Sequence, residues 1–576
     1  MINPIKCGSL RIKLKKVLLP GVLIVSIVSF SFIEDLFQVS KNLDIFAAIY
    51  KQLNINYVDD VNSSELMKNG IDAMLEELDP YTEYIPESEI EDYKLKYVST
   101  QYGGIGATIS NRGGKVIVAE PYAGFPAQKA DIRAGDEFLE INGISLKGKN
   151  NEQVSSMLKG SKGTGVKLQI QRPGMPKVIE LNLTREEIRQ NNVPYYGMLS
   201  NNIGYIKLDK FLENSAQEVK DALTDLKKND IKGLVIDLRY NGGGILQEAV
   251  KIVNLFVEKG VTVVIQKGRY REKIITYNTF SSPIEPDLPL VVLVNNRSAS
   301  ASEIIAGSLQ DLDRAVVIGQ RSFGKGLVQQ TFNLPYNSLV KVTVAKYYTP
   351  SGRCIQALDY THRDTEGTVV KVADSLITEY KTKSGRSVYD GSGIFPDVFI
   401  KPLRYSLITQ TLISKYHIFD YATQYRNLKA SISDPKSFRL NDSDYNEFIA
   451  FLSKRDYGYD TKVEKLLNEL RDEAEKENKS VALKPEFDAL KAKVSHSKKN
   501  DLVLFKEEIK RVLESEIVSR YYFEKGRMEQ NFQYDNELNE ARKVLSDKSF
   551  LASILNGEGS YKSIGKPGED YSANVK

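Results

Sequence analysis

Three closely spaced serines lie between an apolar run and a helical pattern in the middle of the chain. The segment Asn295-Asn-Arg-Ser-Ala-Ser-Ala-Ser-Glu303 follows the apolar run 290–294 and precedes Ile304, Ile305 and Leu309. A strand, a few small residues and then a helix present a serine hydroxyl at the helix N-terminus. There the helix dipole and free N–H groups favour a developing negative charge. The chemistry that this pattern predicts is nucleophilic attack by a serine.

Ordinary helix capping explains the same residues. Either Ser298 or Ser300 at the cap, with Glu303 at the third helical position, makes a capping box. On this segment alone capping is the simpler interpretation, so a nucleophile needs support from a base elsewhere in the chain.

A second segment has the formal pattern of a phosphate-binding loop. Gly319-Gln-Arg-Ser-Phe-Gly-Lys-Gly326 follows the apolar run 315–318 and reads G-x-x-x-x-G-K. However, Gly326 stands where Mg²⁺ binding requires a serine or threonine hydroxyl. Residues 327–332 also alternate like a strand instead of continuing as a helix. Both features argue against a nucleoside triphosphatase.

Lys325 of this segment is a candidate general base. Glycines flank it, so its stem is able to fold into an apolar site, where desolvation lowers the lysine pKa from about 10.4. A neutral lysine amine can take the proton of a serine hydroxyl. Gln329 lies four positions further on, an even offset that predicts the same strand face as Lys325. Its amide oxygen would then orient the amine.

A glycine triplet forms the third segment of chemical interest. Arg239-Tyr-Asn-Gly-Gly-Gly-Ile245 follows a strand-like run that ends at Leu238, and a helix is expected to begin near Leu246. Backbone N–H groups in such a turn are able to hold an oxyanion or a phosphate. Taken alone, a glycine triplet is more often a tight turn without a ligand.

The composition disfavours several other chemistries. The 576 residues include three histidines, without HExxH spacing, and two cysteines, which are too few for a disulfide framework. A metalloprotease and a Ser-His-Asp triad are therefore disfavoured. The 79 basic and 75 acidic side chains are nearly balanced, so the charge indicates neither nucleic acid nor an acidic partner.

Strands and helices alternate around these segments. Between 203 and 350, apolar runs of the length of buried strands alternate with helical stretches, which predicts an α/β layered core. Residues 98–185 carry short β runs separated by glycines, whereas 41–97 and the region beyond 404 have helical periodicity.

Two apolar stripes in the C-terminal region predict helix packing faces. The first consists of Val463, Leu466, Leu467 and Leu470, and the second of Leu502, Phe505, Ile509, Val512 and Leu513. The last twenty residues are rich in glycine, lysine and serine, which predicts a flexible tail.

The N-terminus has the pattern of an export signal or a short membrane anchor. Basic residues precede the apolar run 17–33, and Glu34 and Asp35 close it. A buried core helix is the alternative. The basic flank is expected to remain in the cytoplasm, which predicts that the rest of the chain lies in the cell envelope, on the periplasmic side of the inner membrane.

Six motifs spread over about residues 40–403 together resemble the C-terminal processing peptidases, also called tail-specific proteases. Each motif alone is weak, but all six occur in the family's order and spacing. The motifs are Asp79-Pro-Tyr-Thr82, Tyr102-Gly-Gly-Ile-Gly106, Asp237-Leu-Arg239 with Asn241-Gly-Gly-Gly244, Ser298-Ala-Ser-Ala-Ser-Glu303, Phe323-Gly-Lys-Gly326 with Gln329, and Asp390-Gly-Ser-Gly-Ile-Phe-Pro-Asp397.

The resemblance implies a serine endopeptidase with a Ser-Lys dyad and without a metal or nucleotide cofactor. It places the nucleophile at Ser300, the general base at Lys325 and the residue that orients the base at Gln329. It implies an oxyanion hole formed by the backbone N–H groups of Ala301 and Gly243. The implied fold is an α/β core similar to Clp protease and crotonase, with an inserted PDZ domain and helical regions at both ends.

The implied PDZ domain corresponds to the β-rich segment. Its loop residues Gly103, Gly104, Ile105 and Gly106 are expected to offer backbone N–H groups to the terminal carboxylate of a peptide, while a neighbouring strand pairs with the peptide backbone. A glycine hairpin without a ligand is the alternative. The implied partners are proteins or peptides bound by their C-termini.

These patterns leave one rival function and divide the chain into segments. The rival is a non-catalytic scaffold that binds protein C-termini, and homo-oligomers or an adaptor bound by the C-terminal helices stay open. The predicted segments are a signal or anchor at 1–35, a helical region at 36–97, a PDZ domain at 98–185, a protease core at 186–403 and a helical region with a flexible tail at 404–576.

Overall fold

The computed structural model describes residues 37–98, 101–364, 368–494 and 498–567. The predicted signal or anchor at 1–35 lies outside these residues. Within the described part of the chain, no helix combines the length and the apolar character needed to cross a membrane. The chain divides into two units, Met1–Glu87 with Thr331–Val342, and Ser88–Gln330 with Thr343–Lys576.

The first unit contains two helices and a strand pair. Helix α1 covers residues 37–56 and α2 covers Ser63–Glu76, beginning where the Asn62 side chain accepts the N–H of Glu65. Strand β1 (Glu83–Ile85) pairs antiparallel with the first part of β18 (Ser338–Tyr348). Helix α2 ends at Glu76, before the Asp79-Pro80 pair.

In the second unit, α3 (Ile90–Tyr97) precedes a small β domain formed by residues 101–189. Its sheet has the order β3-β4-β5-β7-β8, which leaves β3 at an edge, and β2 pairs separately with β9. The elements are β2 (Gln101–Gly104), β3 (Ala107–Arg112), β4 (Lys115–Pro121), α4 (Pro126–Lys129), β5 (Glu137–Ile141), β6 (Ile144–Ser145), α5 (Asn151–Leu158), β7 (Gly165–Gln171), β8 (Ile179–Thr184) and β9 (Glu186–Arg189).

A six-stranded sheet with the order β10-β11-β12-β15-β16-β23 forms the centre of the α/β core. Its neighbours pair in parallel from β11 to β23, and β10 is antiparallel at one edge. The elements are β10 (Tyr195–Met198), β11 (Ile203–Lys207), α6 (Ser215–Lys227), β12 (Gly233–Asp237), α7 (Leu246–Val253), β15 (Leu290–Val294), α8 (Ala301–Asp311), β16 (Val316–Gly319) and β23 (Val398–Phe399).

Further strands flank this sheet. Strand β13 pairs with β14 and with the second part of β18. The strands are β13 (Thr262–Gly268), β14 (Ile274–Asn278), β17 (Leu327–Leu334), β19 (Leu358–Arg363), β20 (Val369–Lys371), β21 (Glu379–Lys381) and β22 (Ser387–Tyr389). The predicted α/β layered core is confirmed.

The C-terminal region is helical, as predicted. Helices α9, α10, α11 and α14 share one apolar core with the first part of α15. The helices are α9 (Leu407–Ser414), α10 (His417–Leu428), α11 (Asp442–Leu452), α12 (Lys462–Lys476), α13 (Lys484–Val494), α14 (Lys498–Leu504), α15 (Lys506–Asn531), α16 (Asn536–Ser546) and α17 (Lys548–Asn556).

The last two helices belong to the α/β core. Alternate residues of β12 face opposite sides of the sheet: Leu234 and Ile236 pack with α6, α7 and α8, whereas Val235 packs with Leu538 and Val544 of α16. Helices α16 and α17 therefore cover the second face of the sheet. A parallel sheet requires cover on both faces, and here distant sequence supplies one of them.

Two predictions for the C-terminal region need correction. In the first predicted stripe only Leu467 is buried, while Val463, Leu466 and Leu470 are exposed. The prediction of a flexible tail is wrong for residues 557–567, because the Tyr561 hydroxyl donates to Asp397 at 3.4 Å. Residues 568–576 lie outside the described part. By contrast, the second stripe is confirmed, with its leucines and isoleucine buried.

Candidate active site

Ser300 is the N-cap residue of α8, where the turn after β15 leads into the helix. Its backbone has φ +55° and ψ −115°, a region that residues other than glycine rarely adopt. The neighbouring serines are fully buried: Ser298 Oγ donates to Leu238 O at 2.8 Å, and Ser302 Oγ donates to Asn241 O at 2.9 Å. These two serines fix the turn, whereas Ser300 is only half-buried.

Gly243 lies directly against Ser300. It has φ +94°, and a Cβ atom there would lie 2.7 Å from Ser300 Cβ and 2.9 Å from Ala301 N. The structure therefore brings together the predicted nucleophile and both predicted oxyanion donors. Ala301 is the first residue of α8, where N–H groups have no intrahelical partner. The Gly243 N–H donates to Asn241 Oδ1 at 2.9 Å, so it can hold an oxyanion only after releasing that oxygen.

The loop that carries Lys325 is pressed between α8 and residues 356–357. A Cβ atom on Gly324 would lie 2.4 Å from Ala357 Cβ, and one on Gly326 would lie 2.8 Å from Gln356 N. This close approach explains why glycines flank the lysine. The chain then continues as β17 without a helix, which agrees with the argument against a nucleoside triphosphatase.

Lys325 lies two residues before β17, so the strand itself does not fix its side, and a shared face with Gln329 stays a prediction. The loop bends at Gly324, whose φ is +88°. Gln329 is within the strand, and its Nε2 donates to Thr343 Oγ1 at 3.1 Å. That bond leaves the amide oxygen of Gln329 as the atom able to accept a hydrogen bond. Both Lys325 and Gln329 are half-buried.

Two buried side chains join the Ser300 turn to the Lys325 loop, and the sequence pointed to only one of them. Glu303 was predicted as a capping residue, and its Oε2 does accept the Ser300 N–H at 2.8 Å. The same oxygen accepts the Lys325 N–H at 2.9 Å. Tyr347 of β18 was not predicted, because nothing in a strand pattern indicates which buried hydroxyl reaches another loop. Its hydroxyl lies 2.6 Å from Lys325 O and 3.1 Å from Ser300 O.

Burial dominates the electrostatics of Glu303. It raises the pKa of this carboxyl to about 7, against hydrogen bonds from Ser322, Gly324, Lys325 and Ser300 that lower the pKa. None of these donors is a charged side chain. Within the described residues, no group of histidines, cysteines or acidic residues has the arrangement of a metal site.

The predicted tail-binding loop is only partly a loop. Gly103 and Gly104 belong to β2 and pair with Glu187 and Glu186 of β9. A Cβ atom on Gly103 would lie 1.9 Å from Gly160 O, so this glycine serves a close backbone approach. The prediction that all four residues present N–H groups from a loop is therefore wrong for the first two.

Ile105 and Gly106 follow the strand and border a cleft of about 40 Å³ between β3 and α5. Within the described residues, no hydrogen-bond acceptor of the chain takes the N–H of Ile105 or of Gly106. Apolar side chains, among them Ile109 and Leu158, line the cleft, with Lys159 at its rim. The edge position of β3 leaves a strand able to pair with an added peptide.

Comparisons with known proteins agree with this division of the chain. Residues 202–363 match the family described as "Peptidase family S41", residues 103–183 match "PDZ domain", and residues 408–545 match "Probable PDZ-protease, C-terminal helical domain".

The chain is also similar to curated proteins and solved structures. It is 39% identical over 316 residues to a "Probable CtpA-like serine protease" of Staphylococcus aureus strain MRSA252, covering 54% of this chain and 62% of the relative. A protein of the same description from Staphylococcus haemolyticus strain JCSC1435 is 38% identical over 308 residues, covering 53% and 61%. The matches thus span less than two thirds of the length of these relatives.

A solved structure, the photosystem II D1 C-terminal processing protease, is 28% identical, with 62% of this chain and 92% of that chain covered and a TM-score of 0.34. The fold class predicted from the sequence, an α/β core with a PDZ domain and a C-terminal helical region, is confirmed. Three segments of the chain are therefore similar, in order, to a PDZ domain, a family S41 peptidase domain and the C-terminal helical domain of PDZ-proteases.

Proposed function

We propose that this chain is a serine endopeptidase that uses Ser300 and Lys325 as a catalytic dyad and recognises its substrates by their C-terminal tails. The observation that carries the proposal is the meeting of three turns at the carboxyl ends of β12, β15 and β16. They place Gly243 against Ser300, and Glu303 joins the Ser300 turn to the Lys325 loop. Ligand sites of open α/β sheets lie at this edge.

In the proposed mechanism, Lys325 Nζ takes the proton of Ser300 Oγ as Oγ forms a bond to the carbonyl carbon of the substrate. The Ala301 N–H, joined by the Gly243 N–H once Asn241 releases it, stabilises the oxyanion. The peptide C–N bond breaks as Lys325 returns the proton to the leaving amine. Water then attacks the acyl-enzyme, giving a proton to Lys325, and Ser300 recovers a proton as the acid product leaves.

The PDZ domain is the proposed site for the substrate tail. The N–H groups of Ile105 and Gly106 would bind the terminal carboxylate, and β3 would pair with the peptide backbone. The apolar lining of the cleft favours an apolar terminal residue. Gln329 is the proposed orienting residue for Lys325, through its amide oxygen.

The proposed location is the cell envelope, on the periplasmic side of the inner membrane. Its support is the charge asymmetry of residues 1–35, a basic flank before an apolar run and an acidic pair after it. Whether that segment is a cleaved signal or a retained anchor would be read from the N-terminal residue of the protein purified from membranes.

The test of this function uses the full chain, purified in mild detergent, as wild type and as Ser300→Ala. The substrate is an unfolded protein with an apolar C-terminal tail, compared with the same protein ending in two aspartates. We expect degradation by the wild type, loss of at least 10³-fold in Ser300→Ala, and slower degradation of the acidic tail. Ser453→Ala, which removes an exposed hydroxyl in the helical domain, is the matched control.

Two results would contradict the proposal. Equal degradation by Ser300→Ala would mean that Ser300 is not the nucleophile. Absence of cleavage by every variant, combined with binding of the apolar tail, would favour the scaffold that binds C-termini without cutting them.

A further inference from the structure

The backbones of Ser300 and Lys325 are held by the same two buried side chains. Glu303 is fully buried and lies one turn into α8, the helix that Ser300 begins. Its two carboxylate oxygens accept four hydrogen bonds. One comes from the Ser300 turn and three come from the Lys325 loop.

The two carboxylate oxygens of Glu303 accept hydrogen bonds from different groups. Oε2 is shared by the N–H groups of Ser300 and Lys325, at 2.8 and 2.9 Å. Oε1 accepts the Ser322 hydroxyl at 2.6 Å and the Gly324 N–H at 2.7 Å, and so fixes the loop just before the lysine. A single oxygen atom thus sets the spacing between the two residues of the proposed dyad.

Tyr347 acts on the opposite side of the same two residues. Its hydroxyl lies within hydrogen-bond distance of the carbonyl oxygens of Lys325 and Ser300. The residue is buried within β18, so its ring is fixed by packing. Glu303 therefore holds the N–H groups of the dyad residues, while the single O–H proton of Tyr347 is shared between their carbonyl oxygens, with the shorter contact to Lys325.

We infer that Glu303 and Tyr347 are positioning residues that set the distance between the Ser300 hydroxyl and the Lys325 amine. This inference rests on the proposed function of the dyad. Neither side chain is required to touch substrate, because each acts through backbone groups of the two catalytic residues. We call Glu303 and Tyr347 together the dyad clamp.

Helix capping alone does not account for Glu303. A capping box needs only one bond from the side chain of the third helical residue, to the N-cap N–H. Burial of a carboxylate disfavours its charged form, and three of its four donors belong to a different loop. The extra bonds connect the two catalytic segments, which capping does not require.

The clamp predicts a specific kinetic effect. If the dyad spacing is lost, proton transfer and attack become slower, while substrate binding by the PDZ domain and the cleft is unchanged. A misplacement of about 1 Å can lower a rate by about 10²-fold. The loss should therefore fall on kcat and leave KM nearly unchanged.

The experiment uses the full chain with Glu303→Gln, Glu303→Asp, Tyr347→Phe and the double variant Glu303→Gln/Tyr347→Phe. Rates are measured with a short internally quenched peptide, and Ser300 labelling is followed with a fluorophosphonate. The first control is Ser308→Ala, which removes a fully buried hydrogen bond of the same helix, to Val263 O. The second is Tyr445→Phe, which removes a buried hydroxyl bonded to Leu502 O in the helical domain.

We expect kcat to fall about 10²-fold in Glu303→Gln and about tenfold in Tyr347→Phe, with KM within about twofold of wild type. Glutamine keeps one acceptor oxygen but turns an NH₂ group toward two of the four donors. Glu303→Asp should not rescue the rate, because its shorter side chain cannot reach the Lys325 loop. The losses of the double variant should be less than multiplicative, since both residues hold one geometry.

The inference is overturned if Glu303→Gln and Tyr347→Phe, folded as judged by melting temperature, keep kcat within twofold of wild type. It is also overturned if Ser308→Ala and Tyr445→Phe lose as much activity, since the effect would then be general destabilisation. Should Glu303→Gln not fold, Tyr347→Phe decides, because it removes one oxygen atom only. Failure of the proposed function is a separate result, in which the wild type neither cleaves the peptide nor is labelled.

Discussion

At the scale of single residues, Ser300 has a backbone conformation that serine alone would not choose. A non-glycine residue at φ +55° and ψ −115° carries strain of about 1–3 kcal/mol and persists only where its surroundings impose it. Here the buried hydroxyls of Ser298 and Ser302 anchor the turn on both sides. These anchors thus hold the one half-buried serine of the three at the helix N-terminus in spite of the strain.

This strain predicts an unusual order of stability at position 300. Glycine adopts positive φ without a steric penalty, so Ser300→Gly should be more stable than Ser300→Ala by about 1 kcal/mol. Calorimetric melting of the two variants measures the difference. Position 453 is the control: Ser453 has φ −58° and ψ −20°, so there alanine should be the more stable replacement. Equal melting of Ser300→Gly and Ser300→Ala would contradict the strain.

Gly243 and Gly242 give a second prediction because they are adjacent but differ in their surroundings. A Cβ atom on Gly243 would collide with Ser300 and Ala299, whereas one on Gly242 would meet nothing within 4 Å. We expect Gly243→Ala to lower kcat by at least 10²-fold, since the methyl group displaces the proposed nucleophile. Gly242→Ala should keep kcat within about threefold. Similar rates of peptide cleavage in both variants would contradict this assignment.

At the scale of elements, the strands of the core and the helices after them could be predicted, because their apolar runs are local. The helix expected near Leu246 begins there, and β15 has the predicted bounds 290–294. The turns that follow these strands contain Ser300, Lys325 and Gly243, which were predicted from the sequence as site residues. Their meeting follows from parallel strand order, which places successive carboxyl ends at one edge.

What the sequence could not provide is the identity of the neighbour of each apolar face. The stripe on α12 is as regular as that on α15, yet three of its four residues are exposed. Conversely, α16 covers the sheet although hundreds of residues separate it from β12. Periodicity shows which side of a helix is apolar, and only long-range packing decides what covers it. Tyr347 was missed for the same reason.

Because Glu303 is buried where two elements pack, the stability of the fold depends on pH. In the unfolded chain a glutamate titrates near 4.5, whereas burial raises the pKa of Glu303 to about 7 in the fold. Between these values the native state binds more protons, so stability decreases as pH rises from 4.5 to 7. The full loss of stability is on the order of 3 kcal/mol and is reached above pH 7.

The melting temperatures of wild type and Glu303→Gln, measured from pH 4.5 to 8, check this prediction. We expect the wild type to lose stability relative to the variant as pH rises through this window, and the difference to be constant above it. Ser308→Ala, which does not titrate, should keep a constant difference from wild type throughout. A constant difference for Glu303→Gln as well would mean that this carboxyl titrates normally.

At the scale of the whole second unit, the PDZ domain contacts the C-terminal helical domain through charged pairs. Arg112 of β3 donates to both carboxylate oxygens of Asp420, at 2.7 and 3.3 Å, and its guanidinium lies 4.1 Å from the centre of the Tyr416 ring. Arg527 of α15 pairs with Glu120 of β4 at 2.9 Å. A cavity of about 960 Å³ between the two domains is lined by residues of both, Arg112 and Asp420 among them. Polar contacts add to these pairs: Asn427 Nδ2 donates to Pro173 O at 3.1 Å, and Thr423 Oγ1 donates to Ala134 O at 3.4 Å.

Removal of one of these contacts should weaken the attachment of the PDZ domain to the C-terminal helical domain. Arg112 and Asp420 are about three-quarters buried, so their bidentate pair, together with the ring contact, is expected to contribute about 1–2 kcal/mol. In Arg112→Ala, amide hydrogen exchange in β3 and α10 should become about 5- to 30-fold faster, because local opening requires less free energy. High salt should weaken the wild-type contact only slightly, since partly buried pairs are poorly screened.

Lys115→Ala is the matched control for this prediction. Lys115 lies at the start of β4, and its ion pair with Glu137 stays inside the PDZ domain. That variant should leave exchange in α10 unchanged while removing a basic side chain from the same hairpin. If Arg112→Ala also leaves α10 unchanged, the Arg112–Asp420 pair does not hold the domains together. Faster exchange in α10 for Arg112→Ala alone would mean that an arginine beside the proposed peptide-binding edge of the PDZ domain restrains a helix of another domain.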